Sequence, residues 1–415
     1  MWPRNMLSTA DALALLLDAA KPVEGRETVA TLDALNRVLA ADVISPLDVP
    51  PMAISAMDGY AVSTAGLAHH HNAQPLRLPV SQQIPAGHAP QPLRAGTAAR
   101  IFTGAPVPPG ADAVVMQEQT ATDDENQENP VTLLHRPHAG EWITPQGADI
   151  RRGATILNMG ARLTPQALGL AASVGCATLD VMRRVKVAVF FTGDELTMPG
   201  EPLRAGAIYN SNGFTLRGLL ASLGCDVTDY GIVPDQRDAT REVLRRAAAQ
   251  HDLILASGGV SVGDEDHVKA ALEAEGRLSL WRIAMKPGKP LAFGAVRKPG
   301  GGETFFIGLP GNPVSSLVTF MLLVRPFLLR LMGATALNPP AFLLRADFSQ
   351  TKSDARNEFL RARINASGGL DLFENQGSAV LTSTVWADGL IDNPPGHAIR
   401  AGELVRFLPF SGLLC

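Results

Sequence analysis

Cysteine is scarce. The 415-residue chain has three, Cys176, Cys225 and Cys415, widely spaced and with no ligand pair among them. That argues against a disulfide framework and a zinc site, and reduced thiols in a cytoplasmic protein are expected. Long apolar runs are missing too: none approaches the ~20 residues a membrane helix needs. The opening, MWPRNMLSTADALALLL, has one arginine, a short apolar stretch and no cleavage site. It reads as an amphipathic helix opened by Ser8, Thr9 or Asp11, not as a signal peptide. The formal net charge of -4 gives no reason to expect nucleic-acid binding. Neither a Walker A loop nor a GxGxxG fingerprint occurs. What is present is length enough for two to four domains and apolar content for several cores.

Residues 185–333 carry the most chemistry. Strand-like runs alternate with helical ones, and each strand ends in Gly, Pro, Asp or Glu: VKVAVFFTGDEL (Val185–Leu196), CDVTDYGIVPD (Cys225–Asp235), DLILASGGVSVGDED (Asp252–Asp266) and FFIGLPGNP (Phe305–Pro313). A fifth, SLWRIAMKPGKP (Ser279–Pro290), ends in lysines. The nearly continuous apolar run Val185–Phe191 predicts a strand covered on both faces. Helices are predicted over Asn212–Leu223, over Asp238–Gln250 with Asp238 as cap, over His267–Glu275 with Asp266 as cap, and over Val314–Leu331, bent at Pro326. This is a doubly wound α/β pattern, whose ligands gather at the carboxyl ends of parallel strands.

Around this unit the chain is more irregular. Helical spacing marks Ser8–Ala20, and a second helical run is predicted over Thr31–Ala40. The proline-rich stretch that follows contains Ser55-Ala56-Met57-Asp58-Gly59-Tyr60-Ala61, where Asp-Gly reads first as a hairpin turn. Leu76–Gln119 is β-like. Its stiff Thr103-Gly104 loop, rich in prolines, offers amides and a hydroxyl to an anion, or is plain punctuation. The triplet His69–His71 and the acidic run Thr120–Pro130 read as surface loops. Gly147-Ala148-Asp149-Ile150, followed by Arg151 and Arg152, admits a structural ion pair. Thr164–Gly175 is a helix capped by Thr164, with Pro165 at its first position. Leu337–Cys415 is β-rich and predicts a small β-barrel. Its Gln376-Gly377-Ser378 and Trp386–Gly389 segments read as turns. The organisation is thus an N-terminal and connector domain (1–50 and 138–182), an inserted β lobe (51–137), the α/β domain (183–333) and the barrel (334–415).

Three turns suit an oxyanion. Ser257-Gly258-Gly259-Val260-Ser261 directly follows a strand, and paired glycines let backbone amides converge. Lys286-Pro287-Gly288-Lys289 presents two point charges on a stiff turn. Pro310-Gly311-Asn312-Pro313 opens a helix, whose free amides favour an anion. Glu195, Asp235 and Asp266 fall at strand ends beside them. Two carboxylates ~4 Å apart repel by about 1 kcal/mol in water and about 4 at intermediate dielectric. Gathering them next to phosphate therefore calls for a cation, and magnesium accepts both kinds of oxygen.

SAMDGYA, RIFTGAPVPPGADAVV, TGDEL, SGGVSVGDED, KPGKP and GLPGNPVS occur in one order along the chain. In this it resembles the molybdopterin molybdenumtransferases, the molybdenum-insertion family that includes the C-terminal domain of gephyrin. The resemblance spans essentially the whole chain. It implies a four-domain homodimer that converts adenylylated molybdopterin and molybdate into molybdenum cofactor and AMP with Mg2+. It also implies site positions: Asp58, Thr103 and Asp149 in the N-terminal half, and Glu195, Asp235 and Asp266 at the α/β site, these three toward the cation. Ser257, Gly258, Gly259 and Ser261 resemble the phosphate loop, Lys286 and Lys289 the lysine turn, and Pro310 and Pro313 the GLPGNP turn. One departure is Arg282, where relatives often carry lysine; arginine keeps the charge with a different geometry. In the family's dimer, Asp58, Thr103 and Asp149 approach the other copy's α/β domain. Other proteins of cofactor biosynthesis are implied partners. Two rival classes stay open: an adenylyltransferase that makes the activated pterin, and a non-catalytic scaffold.

Overall fold

The computed structural model describes residues 6–68, 75–122, 130–259 and 267–414. His69–His71, most of the acidic run after Thr122, Ser261, Asp264, Glu265, Asp266 and Cys415 lie outside them. The chain divides into two compact units: residues 1–41, 160–164 and 179–415, and residues 42–159 with 165–178.

The first unit is built on a six-stranded sheet. Strands Asp226–Val233, Lys186–Thr192, Leu253–Ser257 and Glu303–Leu309 run parallel in that spatial order; Pro290–Arg297 and Gly276–Arg282 then add antiparallel. Successive side chains of a strand point to opposite faces, and here both faces are covered. Val187, Val189, Phe191, Leu253, Leu255, Ile307 and Leu309 pack on one side with the helices Thr9–Ala19, Ser211–Ser222 and Pro313–Leu331. Ala188, Phe190, Ile254, Ala256 and Phe306 pack on the other with Arg237–Gln250 and His267–Glu275. The doubly wound architecture follows from this unbroken apolar patterning.

Several expectations need correction. Thr31–Ala40 is not a helix: a single turn, Thr31–Asp33, is followed by extended chain in which Val38 bridges Arg162 and Leu39 bridges Val181. Asn36 sits at φ 64°, and the Arg37 guanidinium binds Glu27 (2.7 Å) and the Met182 carbonyl (2.8 Å). Long-range pairing overrides local propensity there. Ser279–Pro290 is not one strand either. Gly276–Arg282 stops, Met285–Lys286 crosses to pair with Asn357 and Glu358, and Pro290–Arg297 is a separate strand the proline-rich turn concealed. Helix Arg237–Gln250 is preceded by Gln236, with Asp238 in its first turn and not at the cap.

Helix Pro313–Leu331 is long and apolar enough by length and composition to cross a membrane, contrary to the sequence reading, but 89% of the window is buried inside the fold. It runs through Pro326 by widening to π-helical spacing over Phe320–Val324. A proline ring collides with the carbonyl four residues earlier, and a π segment removes the conflict.

The barrel lies in the same unit. Its strands are ordered Met285–Lys286, Asn357–Ile364, Gly389–Asn393, Leu404–Pro409 and Phe342–Arg345, with Leu370–Leu372 on the flank of Asn357–Ile364. A bridge from Ala346 to Leu370 closes the sheet on itself around Leu360, Ala362, Ile391, Val405 and Phe407.

The second unit holds the sheet Val80–Ile84, Ala98–Ile101, Gly59–Val62 and Ala113–Met116, and the three-stranded sheet Leu76–Leu78, Val131–Leu133 and Thr120–Thr122. Asp58-Gly59 is not a hairpin turn. Gly59 begins a strand, and a Cβ there would meet the Val115 carbonyl. Glycine is required by the approach of a neighbouring backbone. Gly59→Ala should destabilise this unit by about 2 kcal/mol or more; thermal unfolding of the full chain measures it, and an unchanged midpoint would refute the packing argument.

Candidate active site

A cavity of about 1020 Å3 opens at the carboxyl ends of the parallel strands. Glu195, Asp235, Ser257, Gly258, Gly259, Lys286, Lys289, Pro310 and Pro313, all singled out by sequence, line it. Ser261 and Asp266 lie outside the described residues. Arg282 does not line the cavity: it is exposed at the end of its strand, opposite Pro290, and its carbonyl accepts the Leu7 N–H at 2.9 Å.

Gly258 and Gly259 have φ of 93° and 62°. These left-handed residues turn the chain back after the strand, in the kind of conformation that makes an amide nest. The turn is tied to its neighbours by Asn212, whose Nδ2 donates to Ser257 Oγ (2.9 Å) and to the Gly311 carbonyl (2.8 Å). Ser257 Oγ in turn donates to the Pro310 carbonyl at 3.2 Å. Asn210 caps the helix that carries Asn212, accepting the Gly213 N–H at 3.0 Å. The sequence opens this helix at Asn212 without marking either asparagine as a site residue, although Asn-Ser-Asn at a helix start is a readable capping signal. Thr192 Oγ1 and Asp235 Oδ1 are buried and have no hydrogen-bond partner among the described residues. Such atoms call for a ligand or an ion.

Lys286 is not a bare cation. Its Nζ lies 2.9 Å from Glu358 Oε1 and 3.3 Å from Asp354 Oδ2, and Glu358 is only 1% exposed. Burial depresses the Lys286 pKa, but the bond to Glu358 and its charge outweigh that and raise it. Arg356 grips Asp354 through Nε (3.0 Å) and Nη2 (2.9 Å), holding that carboxyl well below its usual range. Arg356 also lines the cavity, as do Gln376, Gly377 and Ser378, which the sequence marked only as turns. The barrel thus supplies one wall. Lys289 is exposed and forms no ion pair among the described residues.

Among the described residues, no group of three or more His, Cys, Asp or Glu side chains could hold a metal ion. Glu195 and Asp235 are the described carboxylates of the expected cation site. The two described cysteines are free, and burial pushes the Cys225 thiol up to about 12.

In the second unit, Asp58 Oδ1 accepts the Thr103 N–H (2.7 Å) and hydroxyl (2.8 Å), bonds that hold the Asp58 carboxyl below its usual range. Thr103 therefore gives its donors to Asp58 and does not offer them to an anion. Buried Arg100 donates to the Gly59 carbonyl (2.9 Å) and lies 4.5 Å from the Phe102 ring centre. Asp149 is exposed, with its N–H on the Val49 carbonyl at 2.9 Å. Its loop is pinned by Asp48, which accepts from Arg152 N–H and Gln146 Nε2, each at 2.8 Å.

Comparison with known proteins agrees with this arrangement along the whole chain. Family models match residues 7–175 ("MoeA N-terminal region (domain I and II)"), 188–330 ("Probable molybdopterin binding domain") and 344–410 ("MoeA C-terminal region (domain IV)"). The molybdopterin molybdenumtransferase of Haemophilus influenzae is 39% identical, covering 99% of this chain and 100% of its own. The enzyme of the same name from a Nostoc species is 35% identical over 90% and 86%. The crystal structure of the molybdopterin biosynthesis moeA protein from Pyrococcus horikoshii superimposes with a TM-score of 0.82 at 27% identity, over 97% of this chain and 100% of that one. Matched end to end by these relatives, with its strand-end turns gathered on one cavity, the chain belongs to the molybdopterin molybdenumtransferase family.

Proposed function

We propose that this transferase of molybdenum cofactor biosynthesis inserts molybdate into adenylylated molybdopterin, with release of AMP and a requirement for Mg2+. The observation that carries this reading is one cavity of about 1020 Å3 lined by the Gly258–Gly259 turn, Lys289, Lys286 held by Glu358, and Asp235, whose Oδ1 has no partner among the described residues. The left-handed Gly258–Gly259 turn, whose Gly258 N–H is tied to the Leu309 carbonyl at 3.3 Å, leaves the Gly259 amide to phosphate, and the exposed Lys289 adds a point charge. Lys286, oriented by Glu358, presents a fixed one. The volume accommodates a nucleotide joined to a pterin.

Asp235 Oδ1 and the exposed Glu195 carboxylate are hard oxygen donors and suit Mg2+, with Asp266 the third expected donor. When bound, the ion would neutralise phosphate oxygens. Glu195 orients a water whose oxygen bonds to one phosphorus as the P–O–P bridge breaks, leaving the pterin phosphate and AMP, with the water's proton released to solvent. Molybdate is the second substrate, placed near the dithiolene sulfurs. The protein works as a homodimer in the cytoplasm, in contact with other proteins of cofactor biosynthesis. Asp58 of the partner subunit, with Thr103 of the partner subunit holding it ionised, and Asp149 of the partner subunit complete the site.

The test supplies purified protein with adenylylated molybdopterin, molybdate and Mg2+, and follows AMP release and metal incorporation together. Both are expected, and chelation of Mg2+ abolishes them. Glu195→Gln should lower both rates about a hundredfold or more with an unchanged melting temperature. No AMP from the unaltered protein, or full activity in Glu195→Gln, would overturn the reading.

A further inference from the structure

Arg361 has no part in the chemistry above, yet it is an unusual group. It sits in the barrel strand Asn357–Ile364, its side chain is 1% exposed, and no carboxylate pairs with it among the described residues. Its donors go to neutral oxygens: Nε to Ser383 Oγ (3.1 Å), Nη1 to the Phe359 carbonyl (3.3 Å) and Nη2 to the Gly377 carbonyl (3.1 Å). Burial pulls its pKa down to about 10, so it remains a cation at neutral pH. An apolar side chain at this place would avoid the cost of desolvating a charge.

What the guanidinium holds is the cavity wall. Gly377 belongs to the 376–379 turn that lines the cavity. The turn is strapped again by Gln376, whose Oε1 accepts the Arg361 N–H (2.9 Å) and whose Nε2 donates to the Arg361 and Phe373 carbonyls (3.0 and 2.9 Å). In a planar trans peptide the carbonyl and the following N–H point opposite ways. Drawing the Gly377 carbonyl inward therefore turns the Ser378 N–H outward, and among the described residues that N–H has no partner.

We infer that Arg361 is a positioning residue: its buried guanidinium sets the 376–379 turn so that the barrel wall presents a fixed surface to the anionic substrates. This rests on the function proposed above. Arg361→Met, in the full chain, removes the charge and the donors but keeps the bulk. Its melting temperature should stay near that of the unaltered protein. The KM for molybdate should rise about tenfold with kcat changed much less, the signature of lost uniform binding. Amide exchange should quicken at residues 376–381 and stay slow in strands 357–364 and 389–393. Arg361→Lys, which keeps the charge, should fall between the two.

A KM and a 376–381 exchange rate both unchanged in Arg361→Met would overturn the proposal, as would exchange quickened evenly through the barrel. If Arg361→Met does not fold, Ser383→Ala removes the acceptor of Arg361 Nε together with the hydroxyl's own bond to the Val380 carbonyl (2.6 Å); a KM raised about threefold supports positioning, and an unchanged KM overturns it. Failure of the unaltered protein to release AMP would remove the proposed function instead, while the exchange comparison would still decide the role of Arg361.

Discussion

Gly258→Ala is expected to lower kcat/KM by about a hundredfold without unfolding the chain. The residue holds φ 93°, where a side chain is strained, and its new Cβ would run into the Thr192 carbonyl. Neither strand can yield, because Lys186–Thr192 and Leu253–Ser257 are central, parallel and buried. The turn itself must move. A shift of about 1 Å in a group that holds substrate is enough for a loss of this size. Steady-state AMP release, with thermal unfolding as the control for folding, measures it. Activity equal to that of the unaltered protein would show that the turn does not hold the phosphates.

Lys286→Gln should fail in two ways at once. The Lys286–Glu358 pair is one-sided: the lysine is 40% exposed and the glutamate 1%. Removing the cation leaves a buried carboxylate with, among the described residues, only the Asn393 Nδ2 hydrogen bond at 3.3 Å to satisfy it. Breaking a wholly buried pair costs about 3–5 kcal/mol; with solvent reaching the lysine, about 2 kcal/mol is expected. The pair raises the Lys286 pKa, so its contribution is fully present below the ordinary lysine value and is lost only as pH rises through the raised one. The melting-temperature deficit of the variant therefore persists across the neutral range. Activity should fall about a hundredfold as well, through the lost phosphate contact. Adding Glu358→Gln should restore most of the stability and none of the activity. If the double variant recovered both, Lys286 would serve the fold alone.

The α/β half of the chain was legible because its signals are local. Val185–Phe191 is apolar without interruption, and a strand buried on both faces needs just that. The strand-end turns were readable for the same reason, and the cavity gathers nine of the residues they named. What escaped was set at a distance. Glu358 meets a lysine 72 positions earlier, and Arg356 and Gln376 reach the cavity only because the barrel packs there. No spacing within the barrel announces that. Arg282 shares its neighbourhood in sequence with Lys286, yet it stands at a strand end opposite Pro290 and does not line the cavity. Thr31–Ala40 has helical spacing and lost to pairing partners far along the chain, Arg162 and Val181.

The core helix Pro313–Leu331 also bears on how the chain is made. A ribosome delivers the four parallel strands before this segment, so the groove that receives it is already synthesised when it emerges. Until docking, an exposed stretch this greasy would attract chaperones or other nascent chains. The order of elements along the gene thus shortens the interval in which the most adhesive part of the polypeptide is without cover.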